Sequence, residues 1–102
     1  MAQLTVIWWR DIPAQVVAKA GRANAKRELP QRFQDAIDRA AMRGGARETD
    51  AYLAEWRRAD PVPCGDDLEA AAAEAAAAFE RDYDDARLAA LVAAGGREPA
   101  TG

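Results

Sequence analysis

The sequence predicts one small α+β domain, and three observations lead to that class. A run of β-branched and aromatic residues near the amino terminus favours a strand, and amphipathic stretches after Pro30 and after Asp67 favour helices. The chain of 102 residues is long enough for one hydrophobic core. We expect the domain to cover residues 1–95 and a disordered tail to cover residues 96–102.

The amino-terminal stretch predicts a β-hairpin. Residues 3–10 favour the first strand, Asp11 and Pro13 favour a turn, and QVVAKAG reads as a returning strand that ends at Gly21. The charged segment KAGRANAKRELPQR, which overlaps the end of that strand, is interpreted as a solvated loop.

The next stretch predicts an amphipathic helix between Pro30 and the pair Gly44-Gly45. Proline suits the first turn of a helix, and glycine suits its end. Between them, apolar residues recur at helical spacing, and these are Phe33, Ala36, Ile37, Ala40 and Ala41.

Residues 49–58 fit either a short helix with Thr49 as N-cap or a strand. A strand is preferred for the second half, because Trp56 is followed by the abrupt stop ADPVPCG.

The carboxyl-terminal part predicts two helices. Asp66 and Asp67 open a long alanine-rich helix, where carboxylates favour the positive end of the helix dipole. The apolar pattern changes phase near Asp84-Asp85, which predicts a break followed by a short final helix.

The predicted element order is ββαβα with an extra carboxyl-terminal helix: a mainly antiparallel three-stranded sheet with helices on one face. Because successive strand side chains point to opposite faces, Trp8 and Trp9 lie on opposite sides of the sheet. We expect Trp8 to be core, since it shares a face with Leu4 and Val6, and Trp9 to be exposed. In the alternative, the terminal helix folds back over this face and both rings are core.

An exposed ring beside apolar neighbours indicates a surface that binds a protein partner. The residues predicted to bind that partner are Thr5, Ile7, Trp9, Arg10, Asp11 and Pro13. A symmetric homodimer that buries the sheet face would cover the ring equally well.

Charge divides the chain into a basic and an acidic part. Through Arg58 there are 11 Lys and Arg against 7 Asp and Glu, and from Ala59 onward there are 3 against 10. An alternative function is therefore a small anion-binding or folate-binding module that uses Lys19, Arg22, Lys26 and Arg27, together with Arg10. The acidic net charge of −3 and the lack of interleaved aromatic residues argue against nucleic acid.

The sequence gives little indication of a catalytic or cofactor-binding site. The chain has no histidine, and no spacing resembles a metal-binding or phosphate-binding motif, so we expect a non-enzymatic protein without a cofactor. Cys64, the single cysteine, is the one candidate nucleophile, and a thiol enzyme or redox sensor centred on it is a further alternative. A lone thiol and an amino terminus unlike a signal peptide favour the cytoplasm, and no stretch is apolar enough to span a membrane.

The blocks LTVIWWRDIPAQV, RFQDAIDRAAMR and TDAYLAEWRRADPVPCGDD, in this order, resemble the bacterial virulence-factor domain that also occurs in conserved virulence factor C proteins. The resemblance covers roughly residues 4–79 and names a phenotype, not a reaction. It implies an accessory role beside a cofactor enzyme, in either a corrinoid- and folate-dependent methyl-transfer system or an iron–sulfur system. The chain itself has neither the cysteine set nor the histidine that would hold those cofactors.

Overall fold

The computed structural model describes residues 2–43 and 49–97 and confirms the α+β class. The strands are β1 Gln3–Trp9, β2 Ile12–Ala20, β3 Ala23–Glu28, β4 Trp56–Arg58 and β5 Val62–Pro63. The helices are α1 Gln31–Arg43, α2 Thr49–Ala54, α3 Leu68–Asp82 and α4 Asp85–Ala93.

Within residues 2–43 and 49–97 the sheet has five strands, so the predicted number of three is wrong. Strands β3, β2, β1 and β4 lie side by side in that order, and β5 pairs with the beginning of β1. Each pairing is antiparallel, as predicted for most of the sheet.

Strand β3 lies in the charged segment that was interpreted as a solvated loop, and that interpretation is wrong. It is an edge strand in which Ala25 alone is buried, while charged residues such as Lys26 and Arg27 are exposed. Charged side chains are common on sheet edges, because they discourage pairing with a further chain. The usual apolar alternation of a strand is therefore missing from this sequence.

The predicted hairpin of β1 and β2 is confirmed, and its register defines the two faces of the sheet. Leu4 lies opposite Ala18 and Val6 opposite Val16, and residues directly opposite in an antiparallel pair share a face. This first face is packed by α3, which crosses β2 and β3 with the buried Ala72 and Ala76. Alanine side chains let the helix approach the sheet closely.

Helix α1 buries the five predicted residues Phe33, Ala36, Ile37, Ala40 and Ala41. Pro30 directly precedes it, and its carbonyl accepts a hydrogen bond from the Phe33 N–H at 2.9 Å. The predicted stop at Gly44-Gly45 lies outside the described residues.

The later elements also follow the predictions. The ambiguous segment contains both forms, helix α2 and then strand β4 at the sheet edge. Helix α3 is capped by the Asp67 carboxylate, which accepts a hydrogen bond from the Ala70 N–H at 3.1 Å. The predicted break is confirmed, because Asp84 caps the separate helix α4 through the Arg87 N–H at 2.8 Å.

The prediction that Trp9 is exposed is wrong: its exposed fraction is 0%. The Tyr52 ring lies 5.7 Å from the Trp9 ring, and the Tyr52 carbonyl accepts a hydrogen bond from the indole Nε1–H at 2.9 Å. Trp56, opposite Trp9 on β4, packs edge to face on Tyr52. Trp8 is only half-buried, on the first face, where Phe79 meets it in a T-shaped contact at 5.5 Å.

Gly96 closes the remaining side of the Trp9 ring. A Cβ atom built on Gly96 would lie 2.8 Å from a carbon of that ring, and the residue has φ of +92°. The Gly96 carbonyl also accepts a hydrogen bond from the Asp11 N–H at 2.8 Å. The domain boundary predicted at residue 95 therefore leaves out a glycine that contacts the core, while residues 98–102 lie outside the described residues.

We predict that Gly96→Ala destabilises the protein by about 2–3 kcal/mol, because it combines a clash with Trp9 and a strained backbone. Gly21→Ala is the matched control, since Gly21 also has a positive φ, +58°, but a Cβ there meets no atom within 4 Å. We expect it to cost about 1 kcal/mol. Urea unfolding of both variants measures the difference, and equal losses would contradict the close contact between Gly96 and Trp9.

Candidate functional site

The predicted partner-binding turn is directed into the protein. Pro13, like Trp9, is fully buried. The Arg10 guanidinium donates to the Gly95 carbonyl at 2.6 Å and pairs with Glu55 at 3.4 Å. Asp11 forms an ion pair with Arg57 at 3.5 Å. These four residues therefore hold the hairpin turn against the rest of the chain, and the exposed aromatic surface that was predicted here is wrong.

The other two predicted residues, Thr5 and Ile7, lie on the part of the second sheet face that stays open. They are half-buried, and Ile7 and its neighbour Val17 are outside the hydrophobic core cluster formed by the described residues. Thr5 pairs with Val17, so the two share a face with Ile7 at the middle of the sheet. We call this surface the open face, and the register places on it Gln3, Thr5, Ile7, Gln15, Val17, Lys19, Asn24, Lys26, Glu28 and Arg58.

The open face is basic. Lys26 lies opposite Val17 and Arg58 opposite Ile7, which places both cations on this face with Lys19. Within residues 2–43 and 49–97, Lys19, Lys26 and Arg58 form no ion pair, whereas Arg10, Arg32, Arg57 and Arg97 each do. The three cations are exposed and belong to a chain whose net charge is −3. Glu28, opposite Gln15, adds one exposed carboxylate, so the open face has three cations against one anion on a protein that is acidic as a whole.

The structure divides the four residues proposed to bind an anion. Lys19 and Lys26 share the open face, and Arg22 is exposed in the turn between β2 and β3. Arg27 lies opposite the buried Val16, which puts it on the first face, beside Glu80 of α3. The four residues are therefore not brought to one face of the sheet, and the anion-binding module that uses all of them stays a prediction.

A shallow cleft of about 370 Å³ lies at the end of the open face near Gly21. Its floor is formed by Gln3 and Thr5 of β1, and its sides carry Lys19 and Arg58. The remaining lining residues among those described are Gly21 and Pro61, so none of the described residues that line the cleft is acidic. The cleft therefore presents hydrogen-bond donors from three strands to one volume.

Arg58 is the residue that sequence reasoning missed. It was noted only as the end of the uncertain segment 49–58, and β4 spans three residues. Once β4 is paired with β1, the register alone brings Arg58 to the face of Lys19 and Lys26. The local sequence pattern does not predict the long-range pairing of β4 with β1.

Cys64, the predicted alternative nucleophile, is half-buried and packs against the core cluster. Its backbone N–H donates to the Ala2 carbonyl at 3.1 Å. Among the described residues there is no group of three or more side chains placed to hold a metal ion. The described helices also include none that is long and apolar enough to cross a bilayer.

The fold and this surface define a compact α+β domain with one covered and one partly open sheet face. Residues 7–92 match the model of the family described as Virulence factor, and the chain belongs to that family. The resemblance seen in the sequence is thereby confirmed. Neither the curated proteins nor the solved structures gave a match to the chain.

We predict that Trp9→Ala destabilises the protein by about 3–5 kcal/mol, because it removes a fully buried ring and its hydrogen bond to Tyr52. Ile7→Ala, on the open face of the same strand, should cost about 1 kcal/mol. Chemical denaturation measures both values. A Trp9→Ala protein as stable as Ile7→Ala would contradict the placement of Trp9 in the core.

Proposed function

We propose that this virulence-factor domain is a non-enzymatic accessory protein that binds an acidic protein partner through its open face. The observation that carries the proposal is the position of Ile7 and Val17 at the centre of the sheet, outside the core cluster. They are flanked by three cations that form no ion pair with any described residue. An apolar centre with a charged rim is the usual layout of a protein-binding surface.

The charge of the open face favours a partner of a different kind over a second copy of the chain. A twofold dimer that buried this face would bring Lys19, Lys26 and Arg58 of one copy toward the same residues of the other. Like charges brought together across an interface cost free energy, whereas carboxylates on a partner would be attracted. A homodimer through the open face is therefore the weaker alternative.

The accessory role draws on the family. The resemblance implies a place beside a corrinoid- and folate-dependent methyl-transfer system or an iron–sulfur system. This chain has one cysteine and no histidine, so in such a system the partner would supply the ligands of the cofactor. The domain would contribute binding, and the partner the reaction.

We predict that Val17→Glu weakens partner binding by about tenfold or more, because it places a carboxylate among the apolar residues that an acidic partner covers. The control is Ala70→Glu, which adds the same charge at an exposed position of α3. The measurement is calorimetric titration of each variant, shown to be folded by circular dichroism, against the purified corrinoid- and folate-dependent methyl-transfer proteins of the host.

Two outcomes would contradict the proposal. In one, folded Val17→Glu binds as tightly as Ala70→Glu, which would place the interface elsewhere. In the other, the wild-type chain binds none of these proteins and instead forms a dimer that Val17→Glu dissociates in sedimentation equilibrium.

We also predict that Cys64→Ser leaves partner binding unchanged within about twofold, since Cys64 packs against the core away from the open face. The same calorimetric titration measures it. A complete loss of function in a folded Cys64→Ser protein would instead favour the thiol enzyme or redox sensor.

A further inference from the structure

We propose that the cleft between Lys19 and Arg58 binds a small molecule that carries a diphosphate or two phosphate groups. This inference goes beyond the proposed partner, because it concerns a ligand of a different class at one end of the open face, where the ligand would use Lys19 and Arg58 of that face. It is carried by the chemistry of the lining side chains and by their spacing on the sheet.

Four of the side chains that line the cleft are hydrogen-bond donors. Lys19 and Arg58 supply two positive charges, and Gln3 and Thr5 supply an amide and a hydroxyl. In the described part of the chain, none of these four side chains takes part in a hydrogen bond or an ion pair. Donors that are free on the surface and converge on one concave volume match the acceptor oxygens of an oxyanion.

The spacing favours two phosphate groups over one. Lys19 lies opposite Gln3 and Arg58 opposite Ile7, so the two cations flank β1 from opposite sides and are offset by four residues along it. With strands about 4.8 Å apart and a rise of about 3.3 Å per residue, their Cα atoms are about 16 Å apart. Both side chains line the same cleft, so a ligand with an anionic group at either end is suited to both.

The volume and the charge agree with this class. A cleft of about 370 Å³ exceeds what a single phosphate fills and lies in the range of small-molecule sites. Phosphate groups carry between one and two negative charges each near neutral pH. A single carboxylate offers two acceptor oxygens to these four donors, which is fewer than a diphosphate offers.

The test uses inorganic pyrophosphate and inorganic phosphate as probes in calorimetric titrations of the purified protein at low ionic strength. We expect pyrophosphate to bind about tenfold more tightly than phosphate, and Lys19→Ala and Arg58→Ala each to weaken pyrophosphate binding by about fivefold or more. Lys26→Ala is the matched control, because Lys26 is an exposed cation of the open face that does not line the cleft. We expect it to change the affinity by less than about twofold.

Three outcomes would overturn the proposal. Pyrophosphate binds no better than phosphate, Lys26→Ala weakens binding as much as Lys19→Ala, or no heat of binding appears with either probe. The second outcome would show diffuse attraction to a basic surface without a defined site. Loss of binding in Arg58→Ala supports the cleft only if circular dichroism shows an unchanged fold, and amide shifts confined to Thr5 and Lys19 in NMR titration of the wild type check the same location independently.

Discussion

Large aromatic rings stand on both sides of β1, and covering both of them is the constraint on which the rest of the structure depends. Trp8 meets Phe79 and Tyr83 of the α3 region on the first face. Trp9, one residue later, requires a second cover, which comes from Tyr52, Arg10 and Gly96, while Trp56 packs on Tyr52. The short helix α2 and strand β4 therefore complete the hydrophobic core on the second face of the sheet.

The residues that cover the second face of the sheet lie at one end of it, and this leaves the open face at the other end. The aromatic residues and the turn after α4 concentrate at the hairpin end of the sheet, around Trp9, Arg10 and Asp11. Nothing among the described residues packs the other end in the same way, and Thr5, Ile7 and Val17 stay outside the core cluster there. One face of the sheet is therefore half core and half surface.

Local signals predicted most of the fold, and long-range pairing accounts for the errors. The amphipathic spacing of α1 and the carboxylate caps Asp67 and Asp84 act within one or two turns, so the sequence predicts these helices directly. Strand β3 shows no alternation of apolar and polar residues, because it is an edge strand that consists mostly of alanine and charged residues. Its pairing with β2 had to come from the structure.

Trp9 illustrates the same limit at the candidate site. Its neighbours on the strand face, Thr5 and Ile7, indicate an exposed surface. That expectation is wrong for the ring, which is fully buried, while Thr5 and Ile7 are half-buried. The indole is covered by Tyr52, which is 43 residues away in the sequence. Arg58 joins the basic cluster through a pairing of similar range. The alternation of side chains along a strand predicts which residues share a face of the sheet. It does not predict which distant segment of the chain covers each face.

The hydrogen bond from the Arg10 guanidinium to the Gly95 carbonyl joins residues 85 positions apart in the sequence, so it can form only late in synthesis. Chains emerge from the ribosome amino terminus first, so β1 is made long before the segment that encloses its ring. Until Gly95 and Gly96 have left the exit tunnel, the nascent domain displays an indole that the finished molecule hides. The interval between those two events is when this chain is most open to holdase chaperones or to aggregation.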